Sequence, residues 1–239
     1  MITIIQQEFA EEIGVISLTK EEKARFRRQL DLINCDKLRK SSVSLIGVGS
    51  IGSFTALVLA KMGVGFLTFY DEDGVSEENL PAQFFKNNDL SKFKVEALAD
   101  ILQEFTTAKV KAINQNYVNQ KLEEIVIVAT DDMPSRKNVW NQFLKQSQCK
   151  VFIDARMGAE LERLYVIRNK RKDKTFYEET LYEKGIPVPC TAKTIIYNVV
   201  GIASDICTAF KMVINNEPHP REVIFDRSRI YQYSHMTRD

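Results

Sequence analysis

Gly47, Gly49 and Gly52 are spaced as Gly-x-Gly-x-x-Gly in the stretch Gly47-Val48-Gly49-Ser50-Ile51-Gly52. The first glycine would permit a tight turn, the second close approach of backbone to a phosphate, and the third close packing of a helix on a strand. A helix opening at this point offers unpaired N–H groups to an anion. Asp71 follows Gly52 at about the 20-residue interval of a ribose-binding acid. The alternative is a glycine turn used only for packing. A dinucleotide is the first candidate ligand, but an NAD-dependent dehydrogenase needs a general acid or base held against the nicotinamide, and neither His219 nor His235 is placed for that. Arg28, Asn79, Lys94 and Asp131 suit a nucleoside triphosphate better. They would set cations and one metal-binding carboxylate around the phosphates, and Mg2+ needs only one or two aspartates beside phosphate oxygens.

These residues must be positioned by a βαβ pattern. Val43 to Gly47 reads as a strand, Ile51 to Met62 as a helix, and Phe66 to Tyr70 as a second strand ending on Asp71. A polar turn runs from Asp71 to Pro81, an amphipathic helix from Lys94 to Leu102, and a short strand from Val110 to Ile113. Ile125-Val126-Ile127-Val128-Ala129 is apolar throughout, as a strand buried on both faces of a parallel sheet would be. It ends in Thr130-Asp131-Asp132, so Asp71 and Asp131 fall on the same sheet edge as the glycine turn. Pro134 opens a helix through Trp140 and Phe143, Val151 to Asp154 is a strand, and Leu161 to Ile167 alternates as an antiparallel strand. Upstream, Thr19 with Glu22 three residues on predicts a capped helix running to Leu32, with Arg25 and Arg28 on one face. That face is either a solvated basic one or the source of a phosphate-binding arginine delivered from outside the sheet.

Residues 168–190 are charged and irregular, which predicts a mobile connection. Thr194 to Val213 is apolar nearly all round. Asn198 and Asp205 interrupt it and no basic flank orients it, so a buried core or dimer-interface helix is favoured over a membrane span. Glu222–Asp226 and Arg229–Tyr233 predict a closing hairpin. The expected fold is α/β: a Rossmann-like, mostly parallel sheet flanked by helices, with C-terminal antiparallel strands. Residues 1–18 read as an N-terminal extension and 19–239 as one domain.

At 239 residues, 44% hydrophobic and 27% charged, the chain has the composition of a globular protein with a full core. A formal net charge of +1 gives no reason to expect nucleic acid or an anionic membrane as partner. The N-terminus lacks a basic region followed by an apolar core, so no signal peptide is expected. Cys35, Cys149, Cys190 and Cys207 form no C-x-x-C pair, which disfavours structural zinc and fits a reducing cytoplasm. Cys190, in Pro189-Cys190-Thr191, precedes a long helix and neighbours Lys184 and Lys193, features that lower a thiol's pKa. It is read as a nucleophile against the alternative of a small buried residue; the other three cysteines are read as structural. Arg156, in Asp154-Ala155-Arg156-Met157-Gly158-Ala159-Glu160, either steers an acidic or C-terminal peptide group or forms a salt bridge to Asp154 or Glu160.

From Thr19 to Tyr233 the chain resembles the adenylating enzymes of the ThiF/MoeB type, which activate ubiquitin-like proteins. Arg25-Phe26-Arg27-Arg28-Gln29-Leu30 is similar to the family's R-Y-x-R-Q-I helix, and Gly47 to Gly52 to its glycine loop. Asp71-Glu72-Asp73-Gly74-Val75-Ser76-Glu77-Glu78-Asn79-Leu80 resembles its D-x-D-x-V-x-x-x-N-L stretch. Lys94-Val95-Glu96 resembles its K-V-E helix start, and Thr130-Asp131-Asp132 with Arg136 and Asn138 its T-D-N…R…N segment.

The resemblance implies an adenylation domain over 19–239. ATP would be bound by Gly47, Gly49, Ser50, Gly52, Asp71, Asp73, Asn79, Gln83 and Lys94, with Asp71 on the ribose and Asp131 holding Mg2+. It implies catalytic roles for Arg28, Lys94, Asp131 and Cys190. Arg28 would reach the neighbouring subunit's site, hence a homodimer, and Cys190 would carry a thioester in a P-x-C-T motif. The implied substrate is a ubiquitin-like (β-grasp) protein with a free C-terminus, with a conjugating enzyme or sulfur donor as possible further partner. One departure stands out: the family's arginine before Gln83 is Ala82 here, leaving Lys92, Lys94 or Arg28 to compensate, or a slow or non-catalytic ATP-binding dimer partner. The chain has no room for a large cysteine domain or a ubiquitin-fold domain, so a minimal enzyme is expected.

Overall fold

The computed structural model describes residues 18–181 and 194–236. Eight strands form one sheet: β1 (Ser42–Ile46), β2 (Phe66–Tyr70), β3 (Lys109–Ile113), β4 (Ile125–Val128), β5 (Val151–Gly158), β6 (Leu161–Arg168), β7 (Pro220–Asp226) and β8 (Tyr231–Met236). Their order is β3-β2-β1-β4-β5-β6-β7-β8. The first five pair in parallel, and β6, β7 and β8 join antiparallel. This is the predicted α/β architecture, with its antiparallel strands at the C-terminal edge.

Strand residues alternate between two cores, as a sheet covered on both faces requires. Val43, Leu45, Ile125, Ile127, Ile153 and Val166 face one core, together with α3 (Ser50–Met62), α4 (Lys94–Gln103) and α7 (Ile196–Asn215). Val126, Val128, Phe152, Tyr165 and Ile167 face the other, under α5 (Met133–Lys145) and α6 (Arg171–Thr180). Each fully buried large side chain contributes about 1.5–3 kcal/mol.

Two expectations fail. The helix begun at Thr19, whose hydroxyl accepts the Glu22 N–H in a capping box, is α1 (Lys20–Arg25) and stops seven residues before Leu32. Phe26 leaves the helix to pack under Gly63, where φ is +104° and a Cβ would lie 2.8 Å from the Phe26 ring. The chain then turns, and Asn34 caps a further short helix, α2 (Cys35–Lys40). Arg25 and Arg28 therefore do not share a helical face. The second failure is the connection predicted over 168–190. Its first part ends β6, and residues 171–180 form α6. The helical stripe there is carried by Asp173, Tyr177 and Thr180, a spacing that composition hides because only one of the three is apolar. Tyr177 anchors the helix by packing its ring 4.6 Å from Trp140 and 5.2 Å from Phe152.

Helix α7 is long and apolar enough to cross a membrane by length and composition. Its buried face, through Val199, Ile202, Ile206 and Phe210, packs on α3 and β6. Tyr197 and Val200, on its opposite face, are about half exposed.

Candidate active site

The order β2-β1-β4 puts the chain's change of direction between β1 and β4, and a crevice opens outside the carboxyl ends of such strands. A cleft of about 1030 Å³ lies there. Its size matches a small-molecule site. The glycine turn forms its floor. Gly47 has φ +86°, and a Cβ on it would meet the Ala129 carbonyl at 2.8 Å. Its N–H donates to the Tyr70 carbonyl at 2.8 Å, tying the turn to β2. Gly52 is a packing residue: a Cβ there would sit 2.0 Å from the Gly47 carbonyl oxygen. Gly49 is the N-cap of α3 and supplies no side-chain cap, which leaves first-turn N–H groups for an anion.

Asp71 braces this floor. One carboxylate oxygen accepts the Val48 N–H at 2.8 Å and the other the Asp73 N–H at 3.0 Å. Each oxygen keeps a second acceptor site for a ribose hydroxyl. Burial pushes the Asp71 carboxyl above its usual range, and the charge of Asp73 adds to the shift against the backbone bonds and Lys94. Lys94, in the first turn of α4, is buried, and its Nζ lies 2.7 Å from the Asp73 carboxylate. Asn79 accepts the Ser76 N–H at 3.2 Å, and its carbonyl accepts the Gln83 N–H at 2.9 Å.

Beyond β4, Asp131 is exposed at the cleft, whereas the Asp132 carboxylate accepts the Ser135 N–H at 2.8 Å as the N-cap of α5. Of this aspartate pair, Asp131 is the one left for a cation. Among the described residues no group of three or more His, Cys, Asp or Glu could hold a metal by itself. Gln83 Oε1 and Thr130 Oγ1 are buried among the lining residues without a hydrogen-bond partner. Buried polar atoms are rarely left so, and a polar ligand would satisfy both.

The far wall is legible in the sequence only in part: the Asp154–Arg156 pair is expected there, its extension to Arg136 and Tyr177 is not. Asp154, fully buried in the middle of β5 where its pairing with β4 ends, accepts from Arg136 Nη1, from Arg156 Nε at 2.7 Å and from the Tyr177 hydroxyl at 3.0 Å. Arg136 also donates to the Thr130 carbonyl. Arg156 continues to the Thr180 carbonyl (3.2 Å) and hydroxyl (3.1 Å), and its guanidinium lies 4.6 Å from the Tyr165 ring centre. Of the two roles expected of Arg156, the salt bridge to Asp154 is formed, although the side chain also lines the cleft. Tyr117, a further lining residue, packs edge-on to Tyr70 at 5.3 Å from a loop with no motif to mark it.

The cleft thus gathers Gly47, Gly49, Ser50, Asp71, Asp73, Asn79, Gln83, Lys94 and Asp131. It does not gather Arg28, which is exposed on the turn after α1 and is not among the lining residues. Cys190 lies outside the described residues. Lys92, a candidate substitute for the missing arginine, is paired with Asp89 at 2.9 Å. His219 is buried on β7's approach. Burial lowers its pKa, and its Nε2 accepts from Arg168 at 2.8 Å, so it is engaged outside the cleft.

Sheet order and the glycine turn define a doubly wound α/β protein with a cleft at the β1/β4 crevice, and the sequence match narrows that class. The ThiF family profile matches residues 21–222, and the chain belongs to this family. It is 38% identical over 82 residues to ubiquitin-like modifier-activating enzyme 5 of Aedes aegypti, a match covering 34% of this chain and 20% of that enzyme. It is 34% identical over 119 residues to molybdopterin-synthase adenylyltransferase of Haemophilus influenzae, covering 47% and 49%. The chain thus spans at most about half the length of these relatives. In fold it is similar to PaaA (TM-score 0.74, 16% identity, 93% of this chain and 76% of that one). It is likewise similar to Escherichia coli MccB in complex with AMPCPP and MccA (TM-score 0.72, 19% identity, 99% and 78%).

Proposed function

We propose that the protein is an ATP-dependent adenylyltransferase acting on the C-terminal carboxylate of a ubiquitin-like, β-grasp protein in the cytoplasm. The observation that carries this reading is the convergence of the glycine turn, Asp71, Asn79, Lys94 and Asp131 on one cleft at the β1/β4 crevice. Membership of the ThiF family supports it. Asp71 orients the ribose and the α3 N-terminus and Lys94 take the phosphates; Asp131 would hold Mg2+, which when bound would neutralise phosphate charge. The substrate carboxylate attacks the α-phosphate, an acyl–phosphate bond forms, and pyrophosphate leaves. The carboxylate is already ionised at neutral pH, so no general base is required. The chain contributes positioning and charge neutralisation.

The reading includes a homodimer in which Arg28 acts in the partner's cleft. Its exposure away from the chain's own cleft supports that assignment. The Cys190 thiolate then attacks the acyl-adenylate carbonyl, a C–S bond forms as the acyl–phosphate bond breaks and AMP leaves, and the resulting thioester serves a conjugating enzyme or sulfur donor. The test is ATP–pyrophosphate exchange, dependent on Mg2+ and on a β-grasp protein encoded beside this chain. Asp131→Ala should abolish exchange, and Arg28→Ala should impair it while leaving the melting temperature unchanged. Wild-type rates in both variants would exclude the assigned residues. An adduct that survives denaturation, is released by thiol and is lost in Cys190→Ala would support the thioester.

A second reading, an ATP-binding but non-catalytic dimer partner, is favoured by Ala82 in the arginine's place. Magnesium-dependent turnover would dispose of it.

A further inference from the structure

We propose that Asp73 is not a nucleotide ligand but a displaceable counter-ion that pairs with the Lys94 ammonium until phosphates arrive. The inference rests on reading the cleft as a triphosphate site. The starting observation is an asymmetry. The Lys94 side chain is 8% exposed and that of Asp73 63% exposed, yet they form an ion pair at 2.7 Å. A buried ammonium without an opposite charge is costly, so Lys94 needs a partner whenever the cleft holds no anion. The partner it has can return to water at little cost, because most of its surface is already there.

The backbone keeps this pair in register. Residues 73–75 run antiparallel to 91–94: Lys94 N–H donates to the Asp73 carbonyl at 2.9 Å, Val75 N–H to the Lys92 carbonyl at 2.9 Å and Ser91 N–H to the Val75 carbonyl at 2.9 Å. Asp73 N–H also donates to the Asp71 carboxylate. None of these bonds involves the Asp73 side chain. Its carboxylate is therefore free to leave while Lys94 stays aimed at the cleft. An acid next to a phosphate-binding lysine would repel the phosphates if it stayed, so the triphosphate must take over Lys94 and displace Asp73.

The sign of the effect separates this role from the alternatives. A ligand to the nucleoside, or a merely structural residue, would weaken binding when neutralised. A displaceable counter-ion would strengthen binding of phosphates alone. The experiment measures AMPCPP and adenosine affinities calorimetrically for the full chain, for Asp73→Asn, for Lys94→Met and for the double variant. Asp73→Asn is expected to tighten AMPCPP about two- to fivefold, the range of one partly exposed ion pair, and to leave adenosine unchanged. In the Lys94→Met background the same substitution should change AMPCPP affinity no further, since the two residues then share no interaction to lose. Weaker AMPCPP binding by Asp73→Asn, or a parallel change in adenosine binding, would overturn the proposal while leaving the nucleotide site standing. A wild-type chain that binds neither probe would overturn both.

Discussion

Two glycines of the same turn face opposite demands, and substitution should separate them. A methyl group on Gly52 would lie 2.0 Å from the Gly47 carbonyl, backbone against backbone, with nowhere to relax. Gly52→Ala should cost about 1–3 kcal/mol in urea unfolding, the range of an overpacked core. A methyl on Gly49 would meet only Gln83 Nε2 at 3.8 Å, ordinary contact on the cleft side. Gly49→Ala should melt like the wild type and bind AMPCPP about tenfold more weakly, equivalent to about 1.4 kcal/mol. Equal melting temperatures for the two variants would contradict the division of labour between packing and ligand approach. The spacing of these glycines was legible in the sequence because each role belongs to a fixed step of a strand–turn–helix. The pairing of Asp73 with Lys94 was not, because it depends on the 73–75 segment returning beside 91–94, and no local pattern encodes that return.

At the scale of elements, α6 braces the lining Arg136 and Arg156 from behind through the buried Asp154. That carboxylate takes two arginines and one tyrosine from β5, α5 and α6. Asp154→Asn would leave Arg136 and Arg156 without their charge partner, and breaking such a buried arrangement typically costs about 3–5 kcal/mol. Tyr177→Phe removes one hydrogen bond to a carboxylate that keeps both arginines, and should cost about 1.5–3 kcal/mol. Urea unfolding of the two variants checks the ratio; a smaller loss for Asp154→Asn than for Tyr177→Phe would remove Asp154 from the centre of the cluster. Elements with unmixed signals were the ones readable beforehand: β4 is apolar at every position, and β1 and β2 flank a glycine turn. The sequence does not mark α6, because only the adjacent Phe176 and Tyr177 carry its ring contacts and most of the surrounding residues are charged. Helix α1 was overextended because residues 26–32 keep helical composition, while Phe26 is drawn to the surface left by Gly63. The Asp154–Arg156 pair is legible because both residues sit two apart on one strand, whereas Arg136 and Tyr177 join it from α5 and α6, and only folding makes one group of them.

At the scale of the whole molecule, the antiparallel wing of the sheet is joined to α7 by one buried acid, and that junction carries a pH dependence. Glu162 on β6 is 3% exposed in its side chain and lies 2.9 Å from the Arg227 guanidinium, which also bonds Asn198 Oδ1 at 2.8 Å. Gly201 makes the space, since a Cβ there would lie 1.8 Å from Arg227 Nη2. Asp205, also on α7, approaches the same guanidinium at 3.7 Å, so two carboxylates share one cation. Burial pushes the Glu162 carboxyl up to about 8, Asp205 adds to the shift through its hydrogen bond and charge, and Arg227 opposes it without cancelling it. The folded chain therefore holds this proton more tightly than the unfolded chain, whose ordinary value is 4.5. The stability so gained is fully present below the unfolded value and is lost as pH rises through the folded one. Glu162→Gln keeps an uncharged side chain in the junction at every pH. Its melting temperature, measured between about pH 5 and about pH 8.5, should fall less steeply with rising pH than that of the wild type. Parallel profiles would mean that Glu162 is already ionised in the folded chain, and that Arg227 rather than a shared proton balances the two acids where the sheet meets α7.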